Sequence, residues 1–510
     1  MANIDFINFK TIAKYLAVFV IILLCGTLLK DVIAISFAII ILFYAITKKY
    51  YRSIELLLIW LFIGNFFIGQ GYITNEFISK YFAKPQFLLF LIFILFWNEV
   101  PKSILKENYL KIWIFFILIS FLSAIFQSQS PFVIITISAF FIFYLLLQAN
   151  ILCLYQYHNI MNLLISVAIL QTIVSILQVS EIIAPPSKMM SDGNGGQFEW
   201  VAGLDDVASG TFGPGASFLA SWYAALISLL LFITWILTHK TSYLIVMAIT
   251  FLQFATTDSK TIMAITVIML GYMMLYIFKK RTTFRTSPQR YIIFILLIAL
   301  SGFGFFKAWN AYYEYYGEKT GGSRIDISSV YEDEGKESMN LILENIGDWG
   351  KIRGYQYVIE DFIENDQIQL IWGYGMQGYS NSDKMQYIES KDTQLMQLNN
   401  LTNSRSGLIT QFASSGFIGF ILFALSIILW YKLNNQNEKN NYDIVKNSML
   451  KIFLPFSFLA AFLYSIEIVS IPIIAFGIVI SIYIKMSDCY SHNRLIKNNN
   501  NAVQKFVPFL

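Results

Sequence analysis

Long apolar runs separated by short polar breaks fill most of this chain, and one polar stretch is far longer than the others. A helix needs about 17–25 apolar residues to cross about 30 Å of hydrocarbon. Windows of that kind fall near residues 12–29, 31–47, 54–73, 85–97, 110–126, 131–149 and 159–184. Seven more lie near 215–237, 241–257, 260–278, 290–306, 406–431, 451–467 and 469–486. Backbone polar groups in lipid must be satisfied within the segment, which at this hydropathy means helices. The pattern therefore predicts an all-α integral membrane protein of about 14 (12–14) transmembrane helices, the lower figure allowing for 31–47, 85–97 and the abutting last pair.

Residues 308–405 interrupt the pattern and hold 16 of the chain's 32 acidic residues, together with Trp, Tyr and Gly. The chain thus divides into a first transmembrane part (1–307, with a polar loop at 185–214), the large loop (308–405), the last spans (406–487) and a polar tail (488–510). Inside the large loop, Ile352, Tyr355, Val358, Ile359 and Phe362 recur at helical spacing, predicting a helix over 352–365. The glycine- and aromatic-rich segment 371–382 then reads as a tight turn leaving that helix.

Composition agrees with the pattern: 56% hydrophobic, 17% aromatic and only 13% charged residues, with a mean hydropathy of +0.59. Lys10 and Lys14 precede a first span too long for a cleaved signal. With the amino terminus in the cytoplasm, 22 of the 36 basic residues lie in or beside cytoplasmic segments, as the positive-inside rule requires. That orientation puts 74–84, 185–214, 258–260 and 308–405 outside, and His158, His239 and His492 inside. The net charge of +4 reflects those inner loops and does not point to nucleic acid. Cys25, Cys153 and Cys489 show no paired spacing, and no Asp-x-Asp pair suggests a metal.

Three segments on the outer side, ASGTFGPGASFLASWYAAL (208–226), FATTDSKTIMAI (254–265) and the end of the large loop, together resemble the O-antigen polymerase and ligase superfamily of bacterial envelope glycosyltransferases. The first is similar to the family's Gly-Thr-Phe-Gly element leading into a span. The second resembles a short outer turn ending in Ser-Arg, with Lys260 at the arginine position. In the third, Arg353 opens a helix, a GYG turn follows at 373–375, and RSGLITQFASSGFIGFILF (405–423) leads into a Gly-x-x-Gly span. The family has a histidine eleven residues before the first of those glycines; here that position, counted from Gly416, is Arg405.

The resemblance covers about residues 185–430 and implies transfer of an oligosaccharide from undecaprenyl pyrophosphate to an acceptor sugar, without metal or cofactor. The longest cytoplasmic loop, 432–450, is too small for a nucleotide-sugar domain, in keeping with a lipid-linked donor. A departing pyrophosphate needs its developing negative charge stabilised, which Arg does as a bidentate fork and Lys as a point charge. The expected catalytic cations are Arg353, Arg405 and Lys260, although Lys260 also suits a headgroup contact and Arg405 an anchor for the span it precedes. Gly210, Thr211, Gly213, Arg324 and Tyr374 are the expected substrate-binding residues. The acceptor hydroxyl must lose its proton, and an arginine cannot take it. Asp205, Asp206, Glu389 and Asp392 remain open as the base. The expected partners are the lipid-linked oligosaccharide and membrane lipids, with room for a chain-length-regulating copolymerase. The polymerase is the leading expectation, the ligase its rival, and a polysaccharide or lipid-linked-sugar transporter a third reading.

Overall fold

The structure is a computed structural model that describes residues 6–83, 85–126, 133–149, 152–180, 182–183, 210–212, 217–257, 260–280, 367–373, 407–435, 441–463 and 472–487. Among the described residues it is helical and contains no strand. In chain order, and leaving aside short turns of helix between 76 and 83 and between 97 and 105, the helices are α1 (Phe9–Leu29), α2 (Asp31–Ile46), α3 (Tyr50–Gly69), α4 (Pro85–Phe96), α5 (Asn108–Phe126), α6 (Val133–Gln148) and α7 (Leu154–Val179). There follow α8 (Ser217–Thr238), α9 (Thr241–Thr256), α10 (Lys260–Lys280), α11 (Gln367–Trp372), α12 (Gly407–Asn434), α13 (Asn441–Leu463) and α14 (Pro472–Ser487). Each expected window except 290–306 coincides with one of these helices; that window, and the helix expected over 352–365, lie outside the described residues. Among the described residues, five helical stretches, in α1, α3, α7, α8 and α12, are long and apolar enough to cross a bilayer.

The bundle turns water-soluble logic inside out. Leu28, Ile46, Ile268 and Leu275 are each more than two-thirds exposed, an apolar surface too extensive to face water but suited to lipid. At the centre stands α8, whose apolar window is 94% buried, against 28% for α1. Polar residues inside the bundle satisfy themselves locally or across helices. Ser166, Thr172 and Thr234 bond the carbonyl four residues back. Between α8 and α9, Ser228 meets Thr250 at 2.9 Å. The Thr250 proton goes to Met247 O, so Ser228 donates. Such hydroxyl pairs let two helices adhere where both water and lipid are absent.

Helix ends meet in a consistent alternation. At one end of the bundle, Phe6 N–H donates to Tyr243 on α9, Asn8 N–H to Asn162 on α7, and Tyr50 to Glu99. There too Gln148 on α6 donates to Ser481 O on α14, and Lys451 on α13 sits 3.8 Å over the ring of Tyr276 on α10. At the opposite end, the Asp31 carboxylate accepts from Thr74 and Asn75 N–H, and Ser221 on α8 meets Thr257 beyond α9.

Two buried carboxylates, each with a cation beside it, mark the first of these ends. Glu55 on α3, 6% exposed, accepts from Tyr15 and Tyr51 and pairs with Arg52 at 2.6 Å. Asp443 on α13 pairs with Lys446 at 3.3 Å and accepts from Ser487 on α14.

Candidate functional site

At the end of the bundle opposite those carboxylates, a non-helical segment dips into the core. Gly210, Thr211 and Phe212 are all buried. Gly210 has φ +61°, a conformation glycine adopts without cost, and a Cβ there would collide with the Gln171 side chain. Gln171 and Gln178, seven residues apart on α7, therefore share one face of that helix and grip the segment. Gln178 Oε1 accepts from Gly210 N–H at 2.9 Å and its amide donates to Gly210 O at 3.1 Å. Gln171 Oε1 accepts from Thr211 N–H at 2.7 Å, and its amide donates to the Thr211 hydroxyl. That hydroxyl passes its own proton to Phe62 O on α3 at 2.6 Å. Phe212 completes the anchorage, its ring tilted against Phe62 and edge-on to Tyr223 of α8.

Ser175, on the same face of α7, accepts from Gln253 of α9 at 2.8 Å. The Thr257 hydroxyl, one turn on, donates to Gln253 O at 2.8 Å. Since that uses its only proton, the contact with Ser221 of α8 has Ser221 as donor. Three residues beyond Thr257, Lys260 opens α10. A continuous polar seam thus ties the Gly-Thr-Phe segment, α7, the end of α9 and the start of α8 together, and leads to the helix that Lys260 begins. Among the described residues Gln253 Oε1 is buried without a hydrogen-bond partner, an acceptor suited to a water or a hydroxyl.

A second anchorage lies on α5 and α12. Helix α12 is broken at Gly416, with φ +62° and ψ −173°, and the short helix α11 packs against it. Gly373, φ +79°, follows α11 immediately after Trp372, so residues 371 and 372, expected in a tight turn, close a short helix instead, and 374–382 lie outside the described residues. A Cβ on Gly416 would lie 2.5 Å from Gly373 N and from Ile371 O. Ser123 of α5, itself buried, donates to Gly373 O at 3.2 Å.

Of the expected site residues, Gly210 and Thr211 are thus brought to the seam, Lys260 is placed by its backbone at the start of α10, and Gly213, Arg324, Arg353, Tyr374, Arg405, Asp205, Asp206, Glu389 and Asp392 lie outside the described residues. Gly210 and Thr211 are held in the interior by their polar groups, which makes them anchors of the segment that carries them. Gln171, Ser175, Gln178 and Gln253 were not anticipated. Their signal was present as polar residues recurring at positions 171, 175 and 178 of an apolar run, a spacing that lines one helix face. Among the described residues no three His, Cys, Asp or Glu side chains converge as metal ligands. No protein-family model, curated protein or solved structure matches the chain.

Proposed function

We propose that the chain is an O-antigen or capsular repeat-unit polymerase. In this reading it spans the bacterial cytoplasmic membrane 14 times, with 185–214 and 308–405 on the outer face, and transfers glycan from undecaprenyl pyrophosphate to the acceptor sugar of another lipid-linked repeat unit. The observation that carries it is the polar seam. Two of the three segments on which the family resemblance rests, the one with Gly210 and Thr211 and the one ending at Lys260, attach to it through Gln171, Gln178, Gln253 and Thr257. The alternation of helix ends supports the same path, because every meeting pair falls on one side of a fourteen-pass chain.

The chemistry follows from the residues. The acceptor hydroxyl attacks the anomeric carbon of the donor, the bond from that carbon to the pyrophosphate oxygen breaks, and the hydroxyl proton passes to a carboxylate among Asp205, Asp206, Glu389 and Asp392. Lys260, Arg353 and Arg405 stabilise the departing pyrophosphate, so no metal is required. The arginine in place of the family's histidine favours the polymerase over the ligase. Purified protein incubated with undecaprenyl-pyrophosphate-linked repeat units in a chelator should lengthen the glycan and release undecaprenyl pyrophosphate. Transfer only to added lipid A-core would make it a ligase, and no transfer to either acceptor would favour the transporter.

A further inference from the structure

We infer that Gly416, with Ser123, is a positioning site that docks the end of α11 on the bundle and sets where the chain that continues to Arg405 leaves it; this rests on the proposed transferase reading. The helix break is the first observation. An α12 that continued straight would carry Gly407–Ser415 along the axis of the 415–434 segment. The φ of +62° at Gly416 turns it instead. Arg405 lies two residues before Gly407, so the angle at Gly416 determines where the chain bearing that cation leaves the bundle.

The contact at the break is the second. The backbone of Ile371–Gly373 lies where a side chain on Gly416 would be, approaching to 2.5 Å of an added Cβ. Both partners at the crossing are glycines with positive φ, Gly373 at +79° and Gly416 at +62°, an arrangement no other residue adopts without strain. Ser123 then locks it with its bond to Gly373 O. One point therefore holds two segments more than forty residues apart: the exit from α11 at Gly373 and the break in α12 at Gly416. Everything between them, including Tyr374, Glu389, Asp392 and Arg405, belongs to a chain whose two ends are tied at that point. Loop closure at fixed ends is a direct way to hold cations against a developing charge, and a displacement of about 1 Å in such a group can cost about a hundredfold in rate.

The test needs one readout that does not depend on activity. In protein lacking its native thiols through Cys25→Ala, Cys153→Ala and Cys489→Ala, Ser123→Cys places a thiol, still a weak donor to Gly373 O, beneath a dock that the close Gly416–Gly373 approach continues to hold. Ser228→Cys places one deep between α8 and α9, where the residue is 0% exposed. A water-soluble maleimide applied to the purified protein should label neither quickly. Adding Gly416→Ala should raise labelling at Ser123→Cys at least tenfold while Ser228→Cys stays protected. Unchanged protection at Ser123→Cys overturns the dock, and labelling at both sites overturns it too, because Gly416 would then be a residue of the fold as a whole. Polymerisation by Gly416→Ala should fall about a hundredfold at saturating lipid-linked substrate, with KM within about twofold, as expected when orientation is lost and binding retained. A full rate with the dock released overturns the positioning role. If the native protein does not polymerise at all, the transferase reading fails while the labelling still decides the dock.

Discussion

A glutamine inside an apolar helix must place both ends of its amide, and Gln171 and Gln178 place theirs on the backbone of two successive residues, Thr211 and Gly210. Removing either should orphan a buried N–H at a cost of about 1–3 kcal/mol. Gln178→Leu and Gln171→Leu are therefore each expected to lower the thermal unfolding temperature in detergent, and an unchanged transition would show that the segment is not held this way. Reading the sequence finds the Gly-Thr-Phe-Gly element through its resemblance to the polymerase and ligase superfamily. It does not find that the element is buried, because the partners that bury it lie some forty residues upstream in a run read only for its apolarity. The same applies to Gly416: sequence reading marks it as the first glycine of a Gly-x-x-Gly span, but the backbone it must avoid belongs to Ile371–Gly373.

Among elements, the helices were the most legible feature, since apolar length alone sets where a chain can cross lipid. The exception is α12, expected as one span over 406–431 and broken at Gly416, because hydropathy does not register a change of direction. Close helix crossings were equally hidden. A Cβ on Gly477 of α14 would lie 2.5 Å from the Phe140 ring of α6. Gly477→Val is expected to push these helices apart at a cost of about 1–3 kcal/mol, seen as a lower unfolding temperature. The Asp443–Lys446 pair makes a sharper case, because both residues are under 9% exposed. Asp443→Ala leaves a buried cation unpaired and should cost about 3–5 kcal/mol. Adding Lys446→Leu should recover most of that loss, whereas a double variant as unstable as the single one would show that the pair is not the source.

At the scale of the whole molecule, the meeting helix ends and the distribution of basic residues support one path through the membrane. Reporter fusions at 107 and 435 should be active in the cytoplasm, and one at 74 only outside. The opposite pattern at any of the three would break the path. Apart from 367–373, the large loop, Arg353 and Arg405 included, lies outside the described residues. Sequence carries that part of the account through the minority sign of its cations and the order of its motifs, and the structure carries the anchorages at either end. The claim that unites them is chemical. The direct measurement is a gel ladder of surface glycan from cells lacking the chain, complemented with the native sequence or with Arg353→Ala. The account predicts that deletion leaves core capped by a single repeat unit, and that the native sequence, but not Arg353→Ala, restores the ladder. A ladder unchanged by deletion would contradict it.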